Sequence, residues 1–158
     1  MLLQTPLWRA FAYLSRLIIW EGTRKVDGRC LCGAITYEAE VEPGTVQLCH
    51  CEDCQMQTGS AFRANVPAPA HTFKLLTGEP RRYLKTVSNG SKRVHAFCSN
   101  CGGPIYSAAA ENPQSYSLRI GALKQRYELG IPRRQIWAKR EFDWLKAIDH
   151  VSKVDGQR

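Results

Sequence analysis

Seven cysteines fall in three tight groups: Cys30 with Cys32, Cys49 with Cys51 and Cys54, and Cys98 with Cys101. An odd number in such clusters is poor material for a disulfide framework, and the N-terminal residues do not read as a secretory signal. The grouping instead suits thiolates kept reduced for metal, so the expected compartment is the cytoplasm.

Two of the groups share a local design. Cys30-Leu31-Cys32-Gly33 and Cys98-Ser99-Asn100-Cys101-Gly102 each put two thiols on a tight turn that runs into glycine. Glycine can take the left-handed backbone that aims a knuckle's amides at sulfur. Joined, the two pairs complete a four-thiolate tetrahedron that clamps the first strand to a later hairpin. A closed shell of four thiolates leaves no place for substrate, so this site is expected to be structural and its metal affinity to be folding free energy. Zinc is the expected ion, with an iron–sulfur cluster the alternative that also uses four thiolates.

Cys49, Cys51 and Cys54 need an ion of their own. In extended chain Cys49 and Cys51 point to one side, and a turn after Cys51 brings Cys54 round to them. His50 then points away and reads as a packing or hydrogen-bonding residue. His71 and His95 are more distant ligand candidates without local support. Three ligands and an exchangeable corner are the pattern of a catalytic zinc, against the alternative of a redox or structural trio completed by a histidine. The open corner suits water or a thiolate brought by substrate, whose pKa zinc would lower. The expectation is thus two Zn²⁺ per chain, one structural and one catalytic.

The elements around these groups are mostly strands. Ile35, Tyr37, Ala39 and Val41 alternate with Thr36, Glu38 and Glu40, the pattern of a half-buried strand. Short β-like runs follow at 46–49, 61–66, 73–76, 81–87, 93–98, 104–107 and 116–120, and Asn89-Gly90 marks a hairpin. At the start, Thr5-Pro6 can cap a helix over residues 6–20, with Leu7, Phe11, Leu14 and Ile18 on one stripe. Arg9 and Arg16 fall opposite and interrupt any membrane-spanning run. This helix is expected to pack on its own domain or on a second subunit, so a homodimer is open; membrane-surface binding and a transit peptide are the alternatives. Trp144, Leu145, Ile148 and Val151 have helical spacing near the other end, over residues 141–152. The fold class is mainly β, with a short helix at each end.

The chain of 158 residues suits one domain, divided as an amphipathic extension 1–26, a zinc-binding domain 27–150 and a tail 151–158. A formal charge of +8 favours anionic partners. Thiolates holding two divalent ions would lower it and leave the chain basic.

Three stretches together, G-R-C-L-C-G at 28–33, C-H-C-E-D-C with T-G-S-A-F at 49–62, and F-C-S-N-C-G at 97–102, resemble the glutathione-dependent formaldehyde-activating enzyme family, whose domain also occurs in centromere protein V. Pro132, Ile136-Trp137 and Trp144 fit the family's later pattern. The resemblance implies a β-tent fold of small antiparallel sheets. It places a structural zinc on Cys30, Cys32, Cys98 and Cys101 and a catalytic zinc on Cys49, Cys51 and Cys54. It also implies a carbon–sulfur lyase that joins glutathione to formaldehyde as S-(hydroxymethyl)glutathione. Arg63, Lys92, Arg93 and Arg119 are candidates to hold the thiol's carboxylates. Two positions depart from the family: Gln55-Met56 stand where basic residues often follow the third cysteine, and Gln135 replaces a common histidine. The rival reading is a zinc-stabilised binding module that grips nucleic acid or protein through Arg133-Arg134, Trp137 and Lys139-Arg140; with the enzyme reading no nucleic acid partner is expected.

Overall fold

The structure, a computed structural model, describes residues 22–87 and 89–157. The helix expected over residues 6–20 lies outside the described residues. The rest is mainly β. Among the described residues the strands are β1 (Arg24–Arg29), β2 (Thr36–Val41), β3 (Gln47–Cys49), β4 (Arg63–Pro69), β5 (Lys74–Thr77), β6 (Arg81–Thr86), β7 (Lys92–Phe97), β8 (Pro104–Ala109), β9 (Ser115–Arg119) and β10 (Arg134–Ile136), and an α-helix, α1, spans Glu52–Thr58. They form a three-stranded sheet ordered β1-β2-β5 and a seven-stranded sheet ordered β10-β3-β4-β9-β8-β7-β6. All pairings are antiparallel except β10 on β3.

Alternation decides which residues join the sheets. β2 turns Tyr37, Ala39 and Val41 inward, and the larger sheet answers with Val66, Ala68, Val94, Ala96, Tyr106, Ala108 and Leu118, all buried. Burying each of the larger side chains contributes roughly 1.5–3 kcal/mol. Phe73 closes the core. Its ring stacks on Tyr116 at 4.5 Å and meets Tyr37 and Tyr106, each at 5.3 Å.

The same alternation forces the opposite face of the large sheet to carry Arg63 and Asn65 of β4, Arg119 and Ser117 of β9, Ser107 of β8 and His95 and Arg93 of β7. Register lines them up: Cys49 opposes Arg63, Gln47 opposes Asn65 and then Arg119, and Ser117 opposes Ser107 and then His95. One face is therefore core and the other is polar.

Two local features differ in kind from the sequence pattern. β1 has a single buried apolar side chain, Val26, because its next inward position is Gly28, paired with Tyr37. A Cβ on Gly28 would fall within the Tyr37 ring, so the tyrosine itself fills the glycine's place. At the C-terminal end the expected helix is a 3-10 helix, Asp143–His150, whose Trp144 and Ile148 stay exposed. Without a packed apolar face, so short a segment lacks what usually holds an α-helix together.

Candidate functional site

The four-cysteine group forms where two tight turns meet. In the β1–β2 turn Cys30 N–H donates to Ile35 O (3.0 Å) and Gly33 N–H to Cys30 O (3.1 Å). The β7–β8 turn repeats the idea: Cys98 N–H donates to Gly103 O and Gly102 N–H to Cys98 O, both at 2.9 Å. Gly33 and Gly102 have φ of 78° and 69°, a backbone that side chains with a Cβ rarely adopt. The four sulfurs all lie within 4.8 Å of one another, with Cys30 to Cys32 at 3.5 Å and Cys32 to Cys98 at 3.8 Å. A tetrahedron with metal–sulfur bonds of about 2.3 Å has edges of about 3.8 Å, and the four thiols are free, so the donor set fits one ion. Backbone N–H at Ala34 and the Asn100 side chain hold the Cys32 thiol down to about 6, which favours the thiolate a metal needs. The group joins the two sheets, one turn from each.

The trio is built differently. Cys49 ends β3, Cys51 sits at the N-cap of α1, and Cys54 lies in that helix's first turn. Cys51 and Cys54 are three apart and so share a helix face, which turns both toward Cys49. Their sulfurs lie within 4.8 Å of each other, Cys49 to Cys51 at 3.5 Å. Among the described residues no fourth His, Cys, Asp or Glu joins them. His50 is fully buried and faces away, its Nε2 2.7 Å from Gln135 Oε1 and its ring 5.6 Å from Phe62, the packing role expected. A hydrogen bond from Cys54 pulls the Cys49 thiol down to about 5, with help from Arg63, while the same contact raises Cys54.

The trio opens on a cavity of about 550 Å³ floored by the polar face of the large sheet. Arg63 and Arg119 are only 3% and 6% exposed there, and each leaves its Nε without a partner. Arg63 Nη2 donates to Gln57 Oε1 at 2.6 Å, and Arg119 Nη1 donates to Asn65 Oδ1. Burial pushes the Arg119 guanidinium down to about 9, with Arg63 adding repulsion. Burial and the arginines likewise lower His95 to about 4, so its ring is neutral. His95 lines the cavity beyond the ligand cluster, and His71 is exposed in the β4–β5 connection. Of the four cations singled out in the sequence, Arg63, Arg93 and Arg119 line the cavity and Lys92 does not.

The rim comes from α1, the β6–β7 hairpin and a C-terminal strap. Asp53 pairs with Lys85, and Glu52 lies 3.9 Å from Arg140. β10 lays Ile136 beside Cys49, after which Trp137 turns into the left-handed region at φ 58° with Arg140 5.1 Å over its ring. Gln55 Nε2 donates to Ala61 O (3.1 Å) and Arg140 O (3.0 Å), so both departures noted above have work: Gln55 ties down the strap and Gln135 meets His50. Asn65, Ser107 and Ser117 belong to no motif; their only sequence signal was their parity within the expected strands.

The sequence pattern of the glutathione-dependent formaldehyde-activating enzyme family matches residues 25–140. The chain belongs to this family. A Schizosaccharomyces pombe protein named as an uncharacterized lyase is 31% identical over 99 residues, covering 62% of this chain and 68% of that protein. The crystal structure of a Rhodobacter sphaeroides protein aligns with a TM-score of 0.54 at 22% identity, covering 69% of this chain and 98% of that one, a likeness of fold. Among the described residues no helix is long and apolar enough to cross a membrane.

Proposed function

We propose that this family member is a zinc-dependent carbon–sulfur lyase acting on thiol–aldehyde adducts, with glutathione and formaldehyde as the pair to test first. The observation that carries the reading is the contrast between four sulfurs gathered in one cluster and three in the other, the three facing a cavity. Cys30, Cys32, Cys98 and Cys101 would hold a structural ion, and Cys49, Cys51 and Cys54 a catalytic one. Zinc in the trio would supply a Lewis acid that lowers the pKa of an entering thiol.

In the forward direction the thiol sulfur attacks the carbonyl carbon, a C–S bond forms, the C=O π pair moves to oxygen, and the thiol's proton ends on that oxygen. The reverse breaks the same C–S bond. Arg63, across the ladder from Cys49, offers a buried and unpartnered Nε–H to the charge developing on oxygen. Ile136, Trp137 and Arg140 of the strap line the same cavity beside the trio. The domain would span residues 27–150 and work in the reducing cytoplasm.

The test is exchange between ¹³C-formaldehyde and S-(hydroxymethyl)glutathione followed by NMR. Catalytic protein should accelerate exchange well above the spontaneous rate, and Cys51→Ser should return it to background. Exchange at the spontaneous rate with fully metallated protein would count against the reading.

A further inference from the structure

A second cavity, between the four-cysteine turns and the segment after β9, has no part in the lyase reading. It measures about 760 Å³, a size suited to a small organic ligand. β1 supplies Arg29 and the segment after β9 supplies Lys124 and Arg126, all three exposed at its mouth. Arg119, only 6% exposed, reaches it from the end of β9. None of these four cations has a carboxylate within 4.0 Å among the described residues. Arg126 donates to the Leu123 carbonyl at 3.2 Å and lies 4.8 Å from the centre of the Tyr127 ring. The carboxylate that lines the cavity, Asp27, is held by Gln125 Nε2 at 2.9 Å. Four cations against one carboxylate leave an excess of three positive charges, more than a singly charged ligand offsets.

The inner wall holds an unmet donor. Tyr37 lines this cavity and not the trio's, is fully buried, and has a hydroxyl without a hydrogen-bond partner. Burying a hydroxyl unpaired is costly, and burial also raises the pKa of this phenol, so it keeps its proton to donate. The hydroxyl fills the room of the side chain that Gly28 lacks, and Gly28 belongs to the same wall. Arg119 Nε is likewise without a partner. Apolar side chains share the lining: Leu31, between two metal-ligand cysteines, is 82% exposed, and Leu76 is 48% exposed. At Gly121 the cavity has room to spare, since a Cβ there would meet nothing within 4 Å.

We propose that this cavity binds an organic phosphate monoester, its phosphate among the cations of β1 and of the segment after β9 and its apolar body against Leu31 and Leu76. A phosphate dianion offsets more of the charge excess than a carboxylate does and brings three strong acceptor oxygens. Tyr37 and Arg119 donate to it from the inner wall. The site is separate from the trio and does not depend on what the trio catalyses.

The test is calorimetric titration of the full chain, carrying its metals, with phenyl phosphate at about pH 8, where the ester is a dianion. Binding should be saturable and about tenfold tighter than that of phenyl sulfate, a monoanion of similar shape, or of inorganic phosphate, which lacks the apolar body. Gly121→Leu puts a side chain into the cavity where neither the backbone nor a neighbour resists it, and should weaken phenyl phosphate about tenfold or more with the melting temperature unchanged. Lys124→Gln and Tyr37→Phe should each weaken it about threefold or more. Arg93→Gln, which alters the trio's cavity and not this one, should leave the affinity unchanged. Absence of saturable binding would overturn the proposal, as would binding that Arg93→Gln weakens and Gly121→Leu leaves intact. Equal affinity for phenyl phosphate and phenyl sulfate would overturn it too.

Discussion

At the scale of single residues, the seven cysteines divide by the consequence of losing one. Cys98 is buried at the meeting of two sheets, so Cys98→Ser should release that ion and destabilise the fold by on the order of 5 kcal/mol or more, read as a large fall in the urea midpoint. Cys51 lies at the start of a seven-residue helix on the cavity side, and Cys51→Ser should abolish exchange while the thermal midpoint moves by no more than about 5 °C. His95 supplies a pH signature. Its folded pKa of about 4 lies below the ordinary 6.5, so the unfolded chain binds more protons between those values. Its share of stability is complete above pH 6.5 and is lost as pH falls toward 4. The acid limb of a stability–pH curve should be shallower in His95→Gln than in the parent; identical limbs would show that this ring is not the titrating group.

At the scale of elements, Gly28 and Tyr37 show how one strand depends on its neighbour. Gly28→Ala would place a methyl inside the Tyr37 ring, so it should cost about 3 kcal/mol, measured by denaturant unfolding, and should loosen the Cys30 turn next to it. The pairing also explains why β1 was not legible in the sequence: one of its two buried positions is a glycine whose side-chain space the tyrosine opposite fills. β2 and the strands from β3 to β9 were legible as short β-like runs between turn residues, with alternation plain in β2 and β7 and absent from the exposed β5 and β6, and Asn89-Gly90 does lie in the β6–β7 hairpin, closed by Val87 N–H to Ser91 O at 2.9 Å. β10 was not, since three exposed or half-buried residues in a basic run carry no apolar period and become a strand only through parallel pairing with β3. The metal-ligand candidates were legible from spacing alone. The polar floor was not, because Asn65, Ser107 and Ser117 meet only through register between strands far apart in sequence. The strap belongs to this scale as well. Gln55→Ala removes the bonds to Ala61 and Arg140, and should raise KM for the thiol severalfold with the melting temperature little changed.

At the scale of the whole molecule, two sheets share one core and are pinned at one end by the four-cysteine turns, while the trio faces outward over the opposite, polar surface of the larger sheet. On the proposed reading stability and chemistry rest on different sulfur groups, and a chelator should separate them: mild treatment should remove one equivalent of zinc and the exchange activity, and harsher treatment the second together with the fold. The most direct measurement is a glutathione titration of protein substituted with cobalt at both sites, followed by visible absorption. The account predicts a saturable change in the bands of one ion only, absent in Cys51→Ser. A spectrum indifferent to glutathione and to every other small thiol would contradict it.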